Sequence, residues 1–387
     1  MAVGGDVDPD GGTMRARIRN ASVALAVLAA LAAGCSSDSS SDAEDGAGPT
    51  TTAAADADKT APASDPLDVT PTAPPPDLDQ DVTFVQDLRC GDGDRSVIDV
   101  AVPAAPTGED AQQGDQAIPM VINIHGGGFV GGDKGDVWGA REVGPMNELL
   151  EHGVAVASMN YSLLDSPEPD GVIRPLMDAA RCLQFMRYHA PATFGVDPDR
   201  IALRGGSAGA GTSLWLATHD ELADPDAEDP VLRQSTKPVA VVAHGTQATY
   251  DLLRWGSDVF GEYDELFGDK NLIELAEMFG LSPRLLAFYG ITDAAMLDTP
   301  EIAAYRADVD LLALMDSEDP PAWIANTNEE DTLPITVGLL FHHSDHARAL
   351  ERQAAAVGYD ATVTAGHDAQ PSVSETDYLL DALGVSR

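Results

Sequence analysis

Short apolar runs alternate with longer amphipathic segments along most of the chain. PMVINIH and VAVASMNY, residues 119–125 and 154–161, are continuous apolar runs typical of strands buried on both faces. Comparable runs predict further strands at 200–206, 239–247, 322–327 and 361–366. Apolar residues at helical spacing predict helices at 172–190, 213–220, 345–360 and 374–384. This alternation predicts an α/β fold, with a mostly parallel central sheet and helices on both faces.

Residues 250–315 interrupt that alternation. The segment is mixed and helical in pattern, and it concentrates aromatic residues such as Trp255, Phe260 and Phe288. An insertion of this kind in an α/β domain is typical of a lid over the active edge of the sheet. We therefore expect a helical lid or cap at 250–315.

The N-terminal residues have the pattern of a targeting segment. A basic stretch at 14–20 precedes a 13-residue apolar run at 21–33, which suits a secretory signal and is too short to span a bilayer. The small residues before Cys35 resemble a bacterial lipobox, with an ordinary signal peptide as the alternative. Residues 1–35 are therefore expected to be an extension and signal peptide, with Cys35 lipidated. The protein would then be exported and anchored on the outer face of the cytoplasmic membrane or the cell surface.

Composition sets apart a second segment, at 36–80. It is rich in Ser, Thr, Ala, Pro and Asp and has few large apolar residues, so we expect a disordered acidic linker. The folded domain is then predicted at 81–387. The formal net charge of −42 argues against nucleic acid as a partner, because few cations are available to neutralise phosphates.

Two cysteines lie within the predicted domain. In an exported chain, Cys90 and Cys182 form the one remaining pair, and a disulfide between them is expected. Two independent buried thiols are the alternative.

The stretch NIHGGGFVGGD, residues 123–133, carries several glycine patterns at once. A phosphate loop is excluded, because no Lys-Ser or Lys-Thr follows Gly132. A dinucleotide-binding turn is disfavoured, because GGDKGDVWG is a poor helix start. The remaining interpretation is that these glycines present backbone N–H groups to a developing oxyanion.

That interpretation requires a nucleophile, and RIALRGGSAGAG supplies one. Gly205 to Gly209 form a G-x-S-x-G sequence between a predicted strand and a predicted helix, with Ser207 at its centre. Such a turn exposes the serine hydroxyl at the edge of the sheet. Its position about 80 residues after His-Gly-Gly-Gly makes the pair of motifs specific.

Together, the two motifs resemble the α/β-hydrolase fold, in the carboxylesterase branch similar to hormone-sensitive-lipase-like enzymes. The resemblance covers roughly residues 85–387. It implies an oxyanion hole formed by the backbone N–H groups of Gly127, Gly128 and Ala208, with His125 positioning the loop. The chain departs from many relatives at Gly206, where an acidic residue is common, and at Ala210, where a second glycine is frequent.

In this fold the triad follows the chain order serine, acid, histidine. His367 in TAGHDA follows the last predicted strand and is the expected base, with a surface histidine as the alternative. The segment NEEDTLP after the preceding strand offers Glu329, Glu330 and Asp331. Asp331 is the preferred acid and Glu330 the second choice.

The segment FHHSDHARAL holds three rival histidines, His342, His343 and His346. Two of them, together with Asp345, have spacing that a metal ion could use. A helix start capped by Ser344 or Asp345 is the preferred interpretation. We expect neither a metal nor another cofactor.

The sequence thus predicts a serine hydrolase that cleaves small-molecule carboxylic esters and contacts the membrane only through a lipid anchor. An exported peptidase or a polysaccharide deesterase on the same fold is the alternative enzyme. A catalytically silent binding lipoprotein is the alternative from another class. The acyl chain, the alcohol and the oligomeric state stay open.

Overall fold

Eight strands form one continuous sheet in the computed structural model, which describes residues 65–104, 117–164, 168–263, 267 and 270–386. The strands are β1 Val82–Arg89, β2 Val97–Pro103, β3 Ile118–Ile124, β4 Ala155–Met159, β5 Val196–Gly206, β6 Val241–His244, β7 Ala322–Asn326 and β8 Ala361–Ala365. Their order across the sheet is β1-β2-β4-β3-β5-β6-β7-β8. The pairs β1–β2 and β2–β4 are antiparallel. The other six strands, β3 to β8, are parallel to one another. The predicted mostly parallel sheet is confirmed.

Helices cover both faces of this sheet. They are α1 Val143–Glu151, α2 Ile173–Phe194, α3 Ala208–Thr218, α4 Leu272–Met278, α5 Ser282–Phe288, α6 Pro300–Asp308, α7 Leu311–Leu314, α8 Val337–His342, α9 Ser344–Val357 and α10 Glu375–Ala382. Val121 and Ile122, neighbours on β3, belong to two different core clusters. Since successive side chains of a strand point to opposite faces, two helical layers are required to bury both clusters. The first contains α2, α3 and α9, and the second contains α1 and α10.

The predicted insertion at 250–315 consists of short helices. It contains α4 to α7, together with short 3-10 and π-helical turns at Leu252–Arg254, Trp255–Val259 and Ala294–Asp298. We call residues 250–315 the cap. Its aromatic residues pack on one another, as in the stacked rings of Phe260 and Phe267. The cap therefore has an apolar interior of its own at the carboxyl edge of the sheet.

The folded part of the chain begins before Asp81, the boundary that composition indicated. The backbone N–H of Leu67 donates to Thr193 Oγ1, Thr72 pairs with Phe84 of β1, and Leu78 is 2% exposed. Residues 65–80 therefore pack on the domain, because a few apolar side chains suffice to bind a segment that looks disordered on average. The predicted signal peptide, Cys35 and the predicted linker up to residue 64 lie outside the described residues.

A disulfide joins Cys90, which follows β1, to Cys182 on α2, as predicted. Their Cα atoms are 5.0 Å apart and both residues are buried. The bond connects the antiparallel edge of the sheet to a helix 92 residues further along the chain. Across the described ranges, no helix is long and apolar enough to cross a membrane.

Candidate active site

Ser207 lies on a sharp turn between β5 and α3. Its φ of 52° and ψ of −117° are unusual for a residue with a side chain. The Ser207 N–H donates to the carbonyl of His244 at 2.8 Å, which ties the turn to the end of β6. A strained conformation fixed by its surroundings in this way is typical of a functional residue.

The glycines at either side of Ser207 make this turn possible. A Cβ atom on Gly209 would lie 1.9 Å from the carbonyl oxygen of Ile124, and one on Gly205 would lie 2.3 Å from the backbone of Gly209. Neither position has room for a side chain. The G-x-S-x-G pattern is therefore required by the close packing of β3, β5 and α3.

The glycine-rich loop after β3 lies next to this turn. Gly127 and Gly128 have φ values of 99° and 59°, in the left-handed region that favours glycine. Tyr161 holds the start of the loop, since its hydroxyl donates to the carbonyls of His125 at 2.8 Å and Gly126 at 3.1 Å. The His125 ring stacks on the Tyr161 ring at 4.2 Å between centroids. His125 thus supports the loop, as the sequence analysis expected.

The imidazole that meets Ser207 belongs to His342, the last residue of α8. Its Nε2 lies 2.9 Å from Ser207 Oγ. A hydrogen bond from the ring to the backbone of Gly338 and the negative charge of Glu329 both act on the same imidazole. Burial, partly offset by these two interactions, lowers the pKa of His342 below its ordinary value of 6.5. The lowered pKa favours the neutral imidazole, which is the form that can accept a proton.

This arrangement differs from the expected pair of Ser207 with His367. The His367 side chain is 43% exposed, and its Nε2 faces Asp368 Oδ2 at 3.4 Å. The reason is that α8, which ends at His342, belongs to the β7–β8 connection, so His342 reaches Ser207 before the chain enters β8. Position after the last strand is thus insufficient to identify which histidine contacts the serine.

The expected acids also lie away from His342. Asp331 interacts with Ser344 and, at 3.1 Å, with Arg348, and its Oδ2 accepts the backbone N–H of His367 at 3.4 Å. Although burial opposes it, these hydrogen bonds and the Arg348 charge lower the pKa of Asp331. Glu330 is exposed. The carboxylate whose charge reaches His342 is that of Glu329, which packs against Gly338.

The other two histidines of this segment, His343 and His346, are buried and form hydrogen bonds with neighbouring groups. His343 caps α9, since its Nδ1 accepts the N–H of Asp345 at 3.1 Å, so His343 and not Ser344 or Asp345 is the cap. His346 accepts from the N–H of Ala248 and bonds the carbonyl of Leu340 at 2.9 Å. Both rings therefore have structural partners, and no cluster suited to a metal ion occurs within the described residues.

Two cavities meet at Ser207 and His342. The first, the cap cavity, has a volume of about 600 Å³ and lies beneath the cap. Its walls are mainly aliphatic and aromatic, and they include Gly127, Gly128 and Ala208 beside the serine. The second, the polar groove, has a volume of about 530 Å³. Its charged and polar lining comes from Asp136, Glu142, Arg204, His244, Asn326 and Glu329.

Arg284, on α5, was not singled out by sequence reasoning. Its Nη2 donates to the carbonyl of Gly128 at 2.8 Å, and its guanidinium lies 4.9 Å from the centroid of Phe341. This contact connects the cap directly to the glycine loop across 156 residues of sequence. Its position follows only from the tertiary structure, because no local sequence motif marks this arginine.

The known proteins that this chain resembles include proteins named as esterases and lipases. The BD-FAE family model matches residues 110–259. A probable isoprenylcysteine alpha-carbonyl methylesterase of Oryza sativa subsp. japonica is 27% identical over 56% of this chain and 51% of its own length. Secreted lipase 5 of Gibberella zeae is 34% identical over 30% of this chain and 22% of its own length. The chain thus spans about half or less of the length of these relatives.

A solved structure extends the similarity to most of the chain. The truncated form of a carbohydrate esterase from gut microbiota superposes with a TM-score of 0.51 at 14% identity. The superposition covers 81% of this chain and 97% of that one. At this identity the likeness concerns the fold alone. With the sheet order and the Ser207 turn, it shows that the chain has an α/β-hydrolase fold.

Proposed function

We propose that this α/β-hydrolase-fold chain is a serine hydrolase that cleaves carboxylic esters. The observation that carries the proposal is the 2.9 Å contact between Ser207 Oγ and His342 Nε2 on a strained strand-to-helix turn. A serine hydroxyl becomes a useful nucleophile when an adjacent neutral imidazole can accept its proton. The esterase and lipase names of the partial relatives support the same reaction class.

The reaction proceeds in two halves. Ser207 Oγ attacks the ester carbonyl carbon while His342 Nε2 takes the hydroxyl proton, and the imidazolium then donates that proton to the departing alcohol. Water, deprotonated by the same imidazole, cleaves the acyl-serine and releases the acid. The Gly338 carbonyl orients the ring, and the charge of Glu329 favours its protonated form.

The glycine loop serves the tetrahedral oxyanion. The backbone N–H groups of Gly127, Gly128 and Ala208 belong to residues that line the cap cavity beside Ser207. Donors fixed before the reaction stabilise charge that appears only in the transition state, by about 3 kcal/mol each. The positive φ values of the two glycines support this role, because they permit a loop conformation that other residues rarely adopt.

His367 with Asp331 is the second candidate for the base and acid. The hydrogen bond between the His367 N–H and Asp331 Oδ2 keeps the two residues adjacent, and the chain order of the fold favours them. For His367 to act, its exposed side chain would have to displace His342 from Ser207. The observed contact favours His342.

The protein is further proposed to act outside the cytoplasm, anchored through a lipid on Cys35. The Cys90–Cys182 disulfide supports an oxidising compartment. Metabolic labelling with a radioactive fatty acid tests the anchor, with Cys35→Ser as the control. Equal labelling of both proteins would contradict it.

Hydrolysis of 4-nitrophenyl esters from acetate to dodecanoate, beside Ser207→Ala, tests the esterase activity. We expect ester cleavage and fluorophosphonate labelling in the native protein, and neither in the variant. Labelling of Ser207 without cleavage of any ester would favour a peptidase or a polysaccharide deesterase. Failure of both readouts would leave the silent binding lipoprotein as the better interpretation.

A further inference from the structure

The described lining of the cap cavity has a charge opposite to the net charge of the chain. The chain carries 64 acidic and 22 basic residues. Yet the described lining of this cavity contains Arg284 and Lys270 and neither Asp nor Glu. A cationic, mostly apolar cavity in so acidic a chain is a selective environment, because the surface elsewhere repels anions.

Arg284 is the deeper of the two cations and is half-buried, whereas Lys270 is exposed. One donor of Arg284 is used by the Gly128 carbonyl, and the Phe341 ring covers one face of the guanidinium. Within the described residues it forms no ion pair. Burial lowers the pKa of Arg284, and no carboxylate of the described residues offsets this desolvation.

The other arginines of the cap are different. Arg306 forms an ion pair with Asp251 at 2.8 Å, and Arg254 forms ion pairs with Asp258 and Asp310. Their carboxylates satisfy both the charge and the planar donors of each guanidinium. Arg284 is thus set apart by its missing anion and by its place on the cavity wall.

Arg284 lines the same cavity as Ser207. It touches Gly128 of the glycine loop, and its charge also acts on His342. The groups proposed to bind the oxyanion line the same cavity, and its mainly apolar walls suit the acyl chain of an ester whose carbonyl is bound there. An anion on that acyl group would therefore meet Arg284.

We propose that Arg284 is a specificity-determining residue that binds a carboxylate carried by the acyl group, so that the preferred substrates are monoesters of aliphatic dicarboxylic acids. This inference rests on the proposed esterase function and names its substrate class. The planar guanidinium retains N–H donors that can bind both carboxylate oxygens, which an ammonium group does less well. The apolar walls take the methylene chain, and Lys270 at the mouth adds positive potential.

The test compares substrates that differ only at the far end of the acyl chain. Values of kcat/KM are measured for 4-nitrophenyl hydrogen adipate, 4-nitrophenyl methyl adipate and 4-nitrophenyl hexanoate, with the rate of Ser207→Ala subtracted. The native protein is compared with Arg284→Met, Arg284→Lys and Arg141→Met. Arg141 is exposed and lines neither cavity, so its variant controls for the loss of one charge.

We expect Arg284→Met to lower the ratio of kcat/KM for the acid ester over the neutral esters at least about tenfold. Arg284→Lys should retain part of the preference and Arg141→Met all of it. An unchanged ratio, or an equal loss on all three esters, would show that Arg284 only positions the glycine loop and would overturn the inference. Absence of native activity on all three esters together with no fluorophosphonate labelling would refute the esterase function itself.

A binding measurement on the native protein covers the case in which Arg284→Met does not fold. Adipate and 1,6-hexanediol are compared as competitive inhibitors of hexanoate ester hydrolysis. We expect adipate to bind at least about tenfold more tightly, because it alone can pair with the guanidinium. Equal inhibition constants would overturn the inference while leaving the esterase function intact.

Discussion

The two cavities beside Ser207 lie at the same edge of the sheet, but different parts of the chain line them. The polar groove is lined by residues at the ends of β3, β5, β6 and β7 and in the loops that follow them. Its central cation, Arg204, pairs with Glu375 at 2.8 Å and with Glu142 at 3.3 Å. The cap cavity is lined largely by the insertion, and its Arg284 has no carboxylate partner in the described structure.

The two arginines therefore have different roles: the charge of Arg204 stabilises the fold, whereas the charge of Arg284 is available to a ligand. In the polar groove, Arg204 is fully engaged with carboxylates and with Asn123, so it holds β3, β5 and α10 together. In the cap cavity, the guanidinium keeps unused donors. Since a buried and paired charge contributes little to ligand binding, recognition is expected in the cap cavity and rigidity in the groove.

The largest expected effect concerns the imidazole shared by both cavities. His342→Gln should lower kcat/KM on a neutral ester roughly 10⁴-fold, since Ser207 loses its proton acceptor. The matched variant His367→Gln should retain most of the activity. The opposite outcome, a large loss at His367 and a small one at His342, would transfer the base to the loop after β8.

The pH profile gives an independent check of the same residue. Because burial lowers the pKa of His342 below 6.5, the imidazole stays neutral to a lower pH than an exposed histidine. The acid limb of kcat/KM should therefore fall below pH 6.5. A midpoint clearly above 6.5 would argue against His342 as the titrating base.

The second expected effect concerns Gly128 of the glycine loop, which lies between Ser207 and Arg284 of the cap. A Cβ atom on Gly128 would lie 1.7 Å from Arg284 Nη2, and the φ of 59° disfavours any other residue. Gly128→Ala should lower kcat on the order of 100-fold by displacing the loop. Gly131→Ala, in the same loop with no atom within 4 Å of its Cβ position, should be nearly neutral. Similar losses in both variants would mean that the loop is merely sensitive to change.

A third expected effect tests which cavity holds the acyl chain, by its dependence on the length of that chain. Leu275 lines the cap cavity and not the groove. Leu275→Trp should reduce kcat/KM on the dodecanoate ester about tenfold by filling the cavity, and leave the acetate ester almost unchanged. Leu275→Met keeps the volume and serves as the control. A uniform loss on both esters would place the acyl chain elsewhere.

The smallest expected effect on activity comes from the support of the groove. Although burial raises it, the His244 hydrogen bond and the Arg204 charge lower the pKa of Glu375 to about 2, from the ordinary 4.5. A carboxylate with a lowered folded-state pKa stabilises the fold above pH 4.5, and this contribution disappears as the pH falls towards 2. It amounts to about 3 kcal/mol.

Glu375→Gln should therefore lower the free energy of unfolding at pH 7 while changing kcat little. Urea titrations of both proteins at pH 7 and near pH 3 measure this difference, which should shrink at the lower pH. A constant difference would show that the carboxylate is not the stabilising group.

Some elements of the fold were predictable because their signals are local, and others were not. Parallel strands such as β3, β4 and β6 contain continuous apolar runs, so their positions followed from the sequence. The positions of the antiparallel strands β1 and β2 were not predicted, and β1 is also interrupted by a register shift between Val85 and Leu88. The segment at 65–80 was misassigned for a related reason, since composition averages over the few residues that dock.

The sequence by itself determined the turn at Ser207, the proposed nucleophile, and the glycine loop beside it. The motif around Ser207 is local, because each glycine is required by atoms within one strand-turn-helix unit and the adjacent strand. The Cys90–Cys182 disulfide was also predictable, because these are the two cysteines within the predicted domain. Patterns of this type need no knowledge of distant parts of the chain.

Only the tertiary structure decided which residues meet Ser207 from elsewhere. His342 is 135 residues away from the serine, and Arg284 is 156 residues away from Gly128. Four histidines fit the chemistry in the sequence and chain order alone favoured His367, because no periodicity separates a half-buried ring from an exposed one. The path of the β7–β8 connection and the packing of the cap made the selection, because long-range contacts depend on how whole elements pack.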